Sequence, residues 1–165
     1  MIAKLGEGAW KGVYAVLSLV GFVLLVHGYG VARADPIVLW SPPIWTRHVA
    51  ALLTIPAFIL FAAAYVPRNR IKAALGHPMI LGTKVWALAH LLANGNLADL
   101  LLFGGFLVWA VLAFRAARRR DRAAGTRYSS GVASYTLVTI VVGLIAWVAF
   151  AFALHGWLIG VKPFG

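Results

Sequence analysis

Apolar residues run along this chain in five long stretches, at about 10–31, 44–66, 78–93, 97–114 and 133–160, and polar residues gather in the gaps between them. Recognisable breakers bracket each stretch. Asp35-Pro36 and Ser41-Pro42-Pro43 close the first connection, Pro67 ends the second stretch, His77-Pro78 opens the third, and Asn94-Gly95-Asn96 makes a tight turn before the fourth. None of the stretches shows the two-residue alternation of a barrel strand, so helix is the state expected throughout. The pattern predicts an all-α, polytopic transmembrane helix bundle of about five spans, with residues 1–165 forming one domain. The third stretch is short. Its length of roughly 24 Å falls below the ~30 Å of a hydrocarbon core, and it carries Lys84 and His90, so it is expected to sit sheltered inside the bundle.

Composition agrees with this pattern. Of 165 residues, 62% are hydrophobic and 12% charged, against about 25% charged in a soluble domain. That much apolar surface needs a second apolar medium. The polar segment Met1 to Lys11 and the long apolar run after it do not read as a cleavable signal peptide. The absence of cysteine excludes disulfides, thiolate metal sites, iron–sulfur clusters and covalent c-type haem, which leaves imidazole and oxygen as ligands.

The net charge of +11 is distributed unevenly. With the N-terminus on one side, that side holds Lys4, Lys11, Arg68, Arg70, Lys72 and the arginines from Arg115 to Arg127, while the other holds Arg33, Arg47 and Lys162. This bias assigns the basic loops to the cytoplasmic side of the membrane. The segment Arg115–Arg127 reads as a solvated loop that attracts anionic lipid headgroups, and nucleic acid is not an expected partner.

Counted at about 1.5 Å per residue from the helix ends, His27, His48, His90 and His155 converge on the layer away from the basic loops, and His77 lies at the basic side. Two imidazoles on facing helices are the donor set that clamps a metal or a haem iron. The competing reading gives each histidine a backbone carbonyl or a water as partner. His90 stands out because Thr83, Trp86 and Asn94 share its helical face and supply an aromatic wall and orienting polar groups. Lys84 is expected to snorkel to headgroups, and Asp99 to serve the start of the fourth helix. Gly104-Gly105 and Gly143 are expected helix contacts, and Trp40, Trp45 and Trp157 interfacial anchors. No Ser–His–Asp set, carboxylate pair or phosphate-cradling loop is present.

The block His77-Pro78-Met79, Lys84 through Gly95 and Leu102-Phe103-Gly104-Gly105 resembles the core signature of the NnrU family of bacterial membrane proteins. Gly12-Val13-Tyr14, Tyr65 through Lys72 and His155 through Gly160 extend the likeness over nearly the whole chain. The resemblance implies six helices in the family, an association with denitrification, and a relationship to zeta-carotene isomerase, a haem b membrane enzyme. His77 and His90 correspond to family histidines, and His90 is carried over as an axial ligand. Family members begin with a further helix whose histidine would be the other ligand, and this sequence starts just after it. His48, His155 or His27 is expected in its place, with His48 and His90 taken as the metal-ligand pair. Trp86 and Asn94 would line the cofactor, and Arg47 or Arg33 would face its propionates. The expected function is haem b-dependent redox or isomerase chemistry linked to denitrification or isoprenoid metabolism. The alternative is a non-catalytic accessory or assembly subunit of a larger respiratory or denitrification membrane complex, or a homo-oligomer.

Overall fold

The structure is a computed structural model that describes residues 6–164. The chain divides into two compact units, Met1–Ile37 and Val38–Gly165. The first unit holds one helix, α1 (Glu7–Ala34), none of whose residues is buried. Glu7 and Lys11 pair one turn apart at 2.6 Å on its first turns. Its 28 residues reach roughly 42 Å at the α-helical rise, enough to span a bilayer with some tilt.

The second unit contains α2 (Trp45–Tyr65), a six-residue α3 (Arg70–Leu75), α4 (Pro78–Ala93), α5 (Leu97–Ala123) and α6 (Ala133–Ala149). A π-helical segment, Phe150–Leu154, runs on from α6 into a last short helix, α7 (His155–Ile159). Among the described residues, α1, α2, α5 and the combined span Ala133–Ile159 are long and apolar enough to cross a membrane, and α4 is a shorter apolar helix. The chain is thus a multi-pass helical membrane protein. Its four principal helices form a row in the order α6, α2, α4, α5, because α2 packs on both α6 and α4, and α4 on both α2 and α5. The short α4 is therefore flanked on both sides, which shelters it as its length and polar residues required.

Close backbone approach sets these contacts. Apolar side chains gain nothing by leaving lipid for one another, so small residues that admit a neighbouring helix supply the packing. A Cβ at Gly82 of α4 would come within 2.7 Å of the Phe61 ring and 3.1 Å of the Ala57 carbonyl on α2. One at Gly143 of α6 would come within 2.6 Å of the Ile59 Cα, also on α2. Ala57, Ala63, Ala87 and Ala89 are fully buried along the same seams. Gly143 is the contact expected, but Gly104-Gly105 is not. A Cβ at Gly105 meets nothing within 4 Å, and one at Gly104 meets only the Leu100 side chain of its own helix.

The segment Arg115–Arg127 is a second correction. Helix α5 continues through it to Ala123 and stops before Gly125, whose φ is +62°. Hydropathy marks where a helix leaves the apolar layer, not where it ends, and alanine and arginine are both strong helix formers. Helix α3 lies in the connection between the second and third apolar stretches; Asn69 caps it, accepting the Lys72 amide hydrogen at 2.7 Å.

These contacts predict opposite outcomes for two glycines. Gly143→Ala should destabilise the protein by about 1–3 kcal/mol because Ile59 is met at its backbone. Gly105→Ala should be neutral or stabilising by up to about 1 kcal/mol. Thermal unfolding in detergent reads both, and equal effects would remove the close-packing account.

Candidate functional site

Helices α2, α4 and α6 alternate in direction, so the start of α2, the end of α4 and the end of α6 meet at one end of the second unit. The chain before α2 pins that end. The Leu39 and Trp40 amides both donate to the Gly95 carbonyl, at 2.8 and 3.2 Å. A Cβ at Gly95 would overlap the Trp40 carbonyl, so only glycine fits in the turn between α4 and α5.

His90 lies just inside this clamp. Its Nδ1 is 2.8 Å from the Trp86 carbonyl one turn back, which makes Nδ1 the protonated nitrogen and leaves the Nε2 lone pair available. The Asn94 amide donates to the His90 carbonyl at 2.8 Å. Rings fix the imidazole: Phe103 of α5 stacks on it with centroids 4.5 Å apart, and Trp86 lies at 4.9 Å. Trp86 in turn meets Phe103 and Phe106 edge-on.

His155 is the histidine brought beside His90. Their ring centroids are 6.5 Å apart and their planes differ by 22°. The π-helical segment takes up an extra residue immediately before His155, which resets the register of the helix at that point. The His155 amide bonds the Phe150 carbonyl, and the two rings stand perpendicular at 5.7 Å. The His155 Nδ1 is 2.6 Å from the Val161 carbonyl, so it too is oriented through Nδ1 with Nε2 left over. Asp99, buried in the first turn of α5, accepts a hydrogen bond from the Asn96 amide at 3.0 Å and lies within electrostatic reach of His90.

His48 and Arg47 are exposed on the first turn of α2, at the same end of the unit but outside the ring cluster. His27 is exposed on α1, and Arg33, on the same helix, lies over the Tyr29 ring at 5.6 Å. Thr83 shares the face of His90 but donates to the Met79 carbonyl. Among the described residues no three of His, Cys, Asp and Glu form a metal-binding group. The donor set is an imidazole pair, and two imidazoles sharing one metal at about 2 Å each need ring centroids roughly 6 Å apart.

The opposite, basic end carries a second cluster that the chain's spacing did not announce. The Asp121 carboxylate accepts from the Tyr128 hydroxyl at 2.9 Å and lies 2.9 Å from the His77 Nε2, while Arg118 stands 3.7 Å away. His77 is the N-cap residue of α4, so the network ties α4 to the end of α5 and the segment after it. Gly76, with φ +79°, leaves room for the Tyr128 ring, which a Cβ there would meet at 3.0 Å. The available signal was Asp121 itself, the single acidic residue within Arg115–Arg127.

A family model described as "NnrU protein" matches residues 1–163 of the chain. No curated protein and no solved structure matches it.

Burial and then the hydrogen bond to Asp121 push the Tyr128 hydroxyl above the ordinary tyrosine range. Its contribution to stability is therefore complete below about pH 10 and lost as pH rises through the raised value. An ultraviolet phenolate titration should show one late tyrosine that Tyr128→Phe removes and Asp121→Asn moves back toward the free range. A curve unchanged by Tyr128→Phe would rule this assignment out.

Proposed function

Because the chain belongs to the NnrU family, we propose that it is an inner-membrane protein that holds haem b between His90 and His155, and that it serves redox or isomerase chemistry on an apolar or small substrate, linked to denitrification or isoprenoid metabolism. The observation that carries this reading is the paired orientation of the two rings. Each imidazole gives its Nδ1–H to a backbone carbonyl, from Trp86 and from Val161, and keeps its Nε2 lone pair. A second partner on Nδ1 is the device that fixes tautomer and ring direction in metal-ligating histidines and raises their basicity. The separation of 6.5 Å between the rings suits one shared metal.

Haem b would supply an iron that exchanges single electrons, held by His90 and His155. The chain's own residues supply the rest. Phe103 and Trp86 hold the His90 ring and keep water from it. His155 sits on a five-residue helix after a π segment and is only partly buried, so it is the ligand with freedom to move. Arg47, exposed at the same end, offers a guanidinium suited to propionate carboxylates. The basic end, with Arg68, Arg70, Lys72 and the arginines of α5, faces the cytoplasm in this reading, and the imidazole pair lies toward the other leaflet.

Purified from cells supplied with haem precursor, the protein should carry a Soret band that shifts on dithionite reduction. His90→Ala and His155→Ala should each lower haem content at least about tenfold, and His48→Ala should leave it unchanged. A colourless protein, above all one that co-purifies with a larger complex, would falsify the haem reading and favour an accessory subunit.

A further inference from the structure

Helix α5 leaves its apolar run at Phe114 and at once presents Arg115, Arg118, Arg119 and Arg122. These four recur at spacings of three and four residues, so they share one face, and with Phe114 they line a cleft of about 420 Å³. Like charges so placed repel each other along the helix. Little in the chain offsets them. Arg118 is 3.7 Å from Asp121, but that same carboxylate oxygen already serves His77 and Tyr128. Arg115, Arg119 and Arg122 have no hydrogen-bond or ion-pair partner among the described residues. A further cation lies against the same phenylalanine: Lys84 of α4 places its ammonium 4.0 Å from the centroid of the Phe114 ring.

Elsewhere at this end Arg68, Arg70 and Lys72 have side-chain partners within the fold, whereas Arg120 and Arg127 have none among the described residues. Arg68 bonds the Tyr135 hydroxyl, Arg70 the Gly131 carbonyl and Lys72 the Ala64 carbonyl. Of the five arginines at this end without a side-chain partner among the described residues, Arg115, Arg119 and Arg122 thus line one cleft. Guanidinium forks recognise phosphate oxygens in pairs, which makes a phosphate-bearing anion the fitting ligand. The surface below the cleft says what the phosphate is attached to. One and two turns before Arg115, on the same side of α5, Leu112 and Val108 are exposed and continue the apolar surface away from the arginines. A charged cleft set at the end of such a strip matches an amphiphile whose head is anionic and whose tails run along the helix.

We propose that this cleft is a discrete binding site for the phosphate headgroup of an anionic membrane lipid, seated by Arg115, Arg119 and Arg122, with its acyl chains along Leu112 and Val108. It differs from a diffuse attraction of basic residues to a charged surface. Arg120 is the internal control, since it is equally exposed and adjacent in sequence but does not line the cleft.

The test is native mass spectrometry of the full chain in neutral detergent, titrated with phosphatidylglycerol, phosphatidylcholine or inorganic pyrophosphate. One phosphatidylglycerol should be retained in preference to phosphatidylcholine. Arg119→Gln should weaken that retention about tenfold, while Arg120→Gln should leave it within about twofold. Arg122→Gln repeats the measurement if the first variant does not fold. Equal losses in the Arg119 and Arg120 variants, or equal retention of the two lipids, would overturn the discrete site. Pyrophosphate bound as tightly as the lipid, with the same dependence on Arg119, would overturn the lipid and leave free phosphate as the ligand.

Discussion

The closeness with which α2 can approach its two neighbours is the constraint on which the second unit rests. Within a bilayer there is no gain from moving apolar side chains out of lipid, so helices associate through dispersion contacts that require near-touching backbones. Gly82 and Gly143 supply that closeness on the two sides of α2, meeting Ala57 and Ile59 respectively. Remove either and α4 or α6 loses its distance from the centre of the row.

The second constraint is that the hydrocarbon offers no hydrogen bonds, so a polar side chain within a span must find its partner in the protein. The threonines do this locally. Thr54, Thr83 and Thr139 each donate to a carbonyl three or four residues earlier, and Thr54 also accepts from the Trp147 indole, tying α6 to α2. Among the described residues no buried side-chain nitrogen or oxygen lacks a partner. A histidine that follows the same rule is different in kind from a threonine. Its carbonyl bond uses one ring nitrogen and fixes the other as an acceptor, so the demand that makes the ring tolerable in lipid also prepares it as a ligand.

The helices and their order of burial were legible because hydropathy and breakers record both. Trp86 and Asn94 were placed beside His90 by the helical repeat alone, and the structure brings both to it. What a period cannot record is contact between residues distant in the chain. That His155 lies beside His90 depends on a π segment at Phe150–Leu154, whose apolar sequence is indistinguishable from ordinary helix. Phe103 was read as part of a motif and not as the ring that stacks on His90, since that contact joins α4 to α5 across their packing seam. The helical state of Arg115–Ala123 is hidden for a different reason: a run of charge marks the end of an apolar span and not the end of a helix, and the residues concerned favour helix.

Both candidate sites lie at the ends of α4, and its length explains why. Sixteen residues reach roughly 24 Å, so a helix flanked by longer neighbours must begin and end inside the boundaries that they reach. Its terminal backbone groups and the turns next to them then need partners below the membrane surface. At one end His77, Asp121 and Tyr128 close over the first turn. At the other, Leu39 and Trp40 close over Gly95. Each closure gathers polar side chains that bond one another or the backbone. A short helix held between long ones therefore creates two places for polar chemistry, and this chain has put imidazoles in one and arginines beside the other.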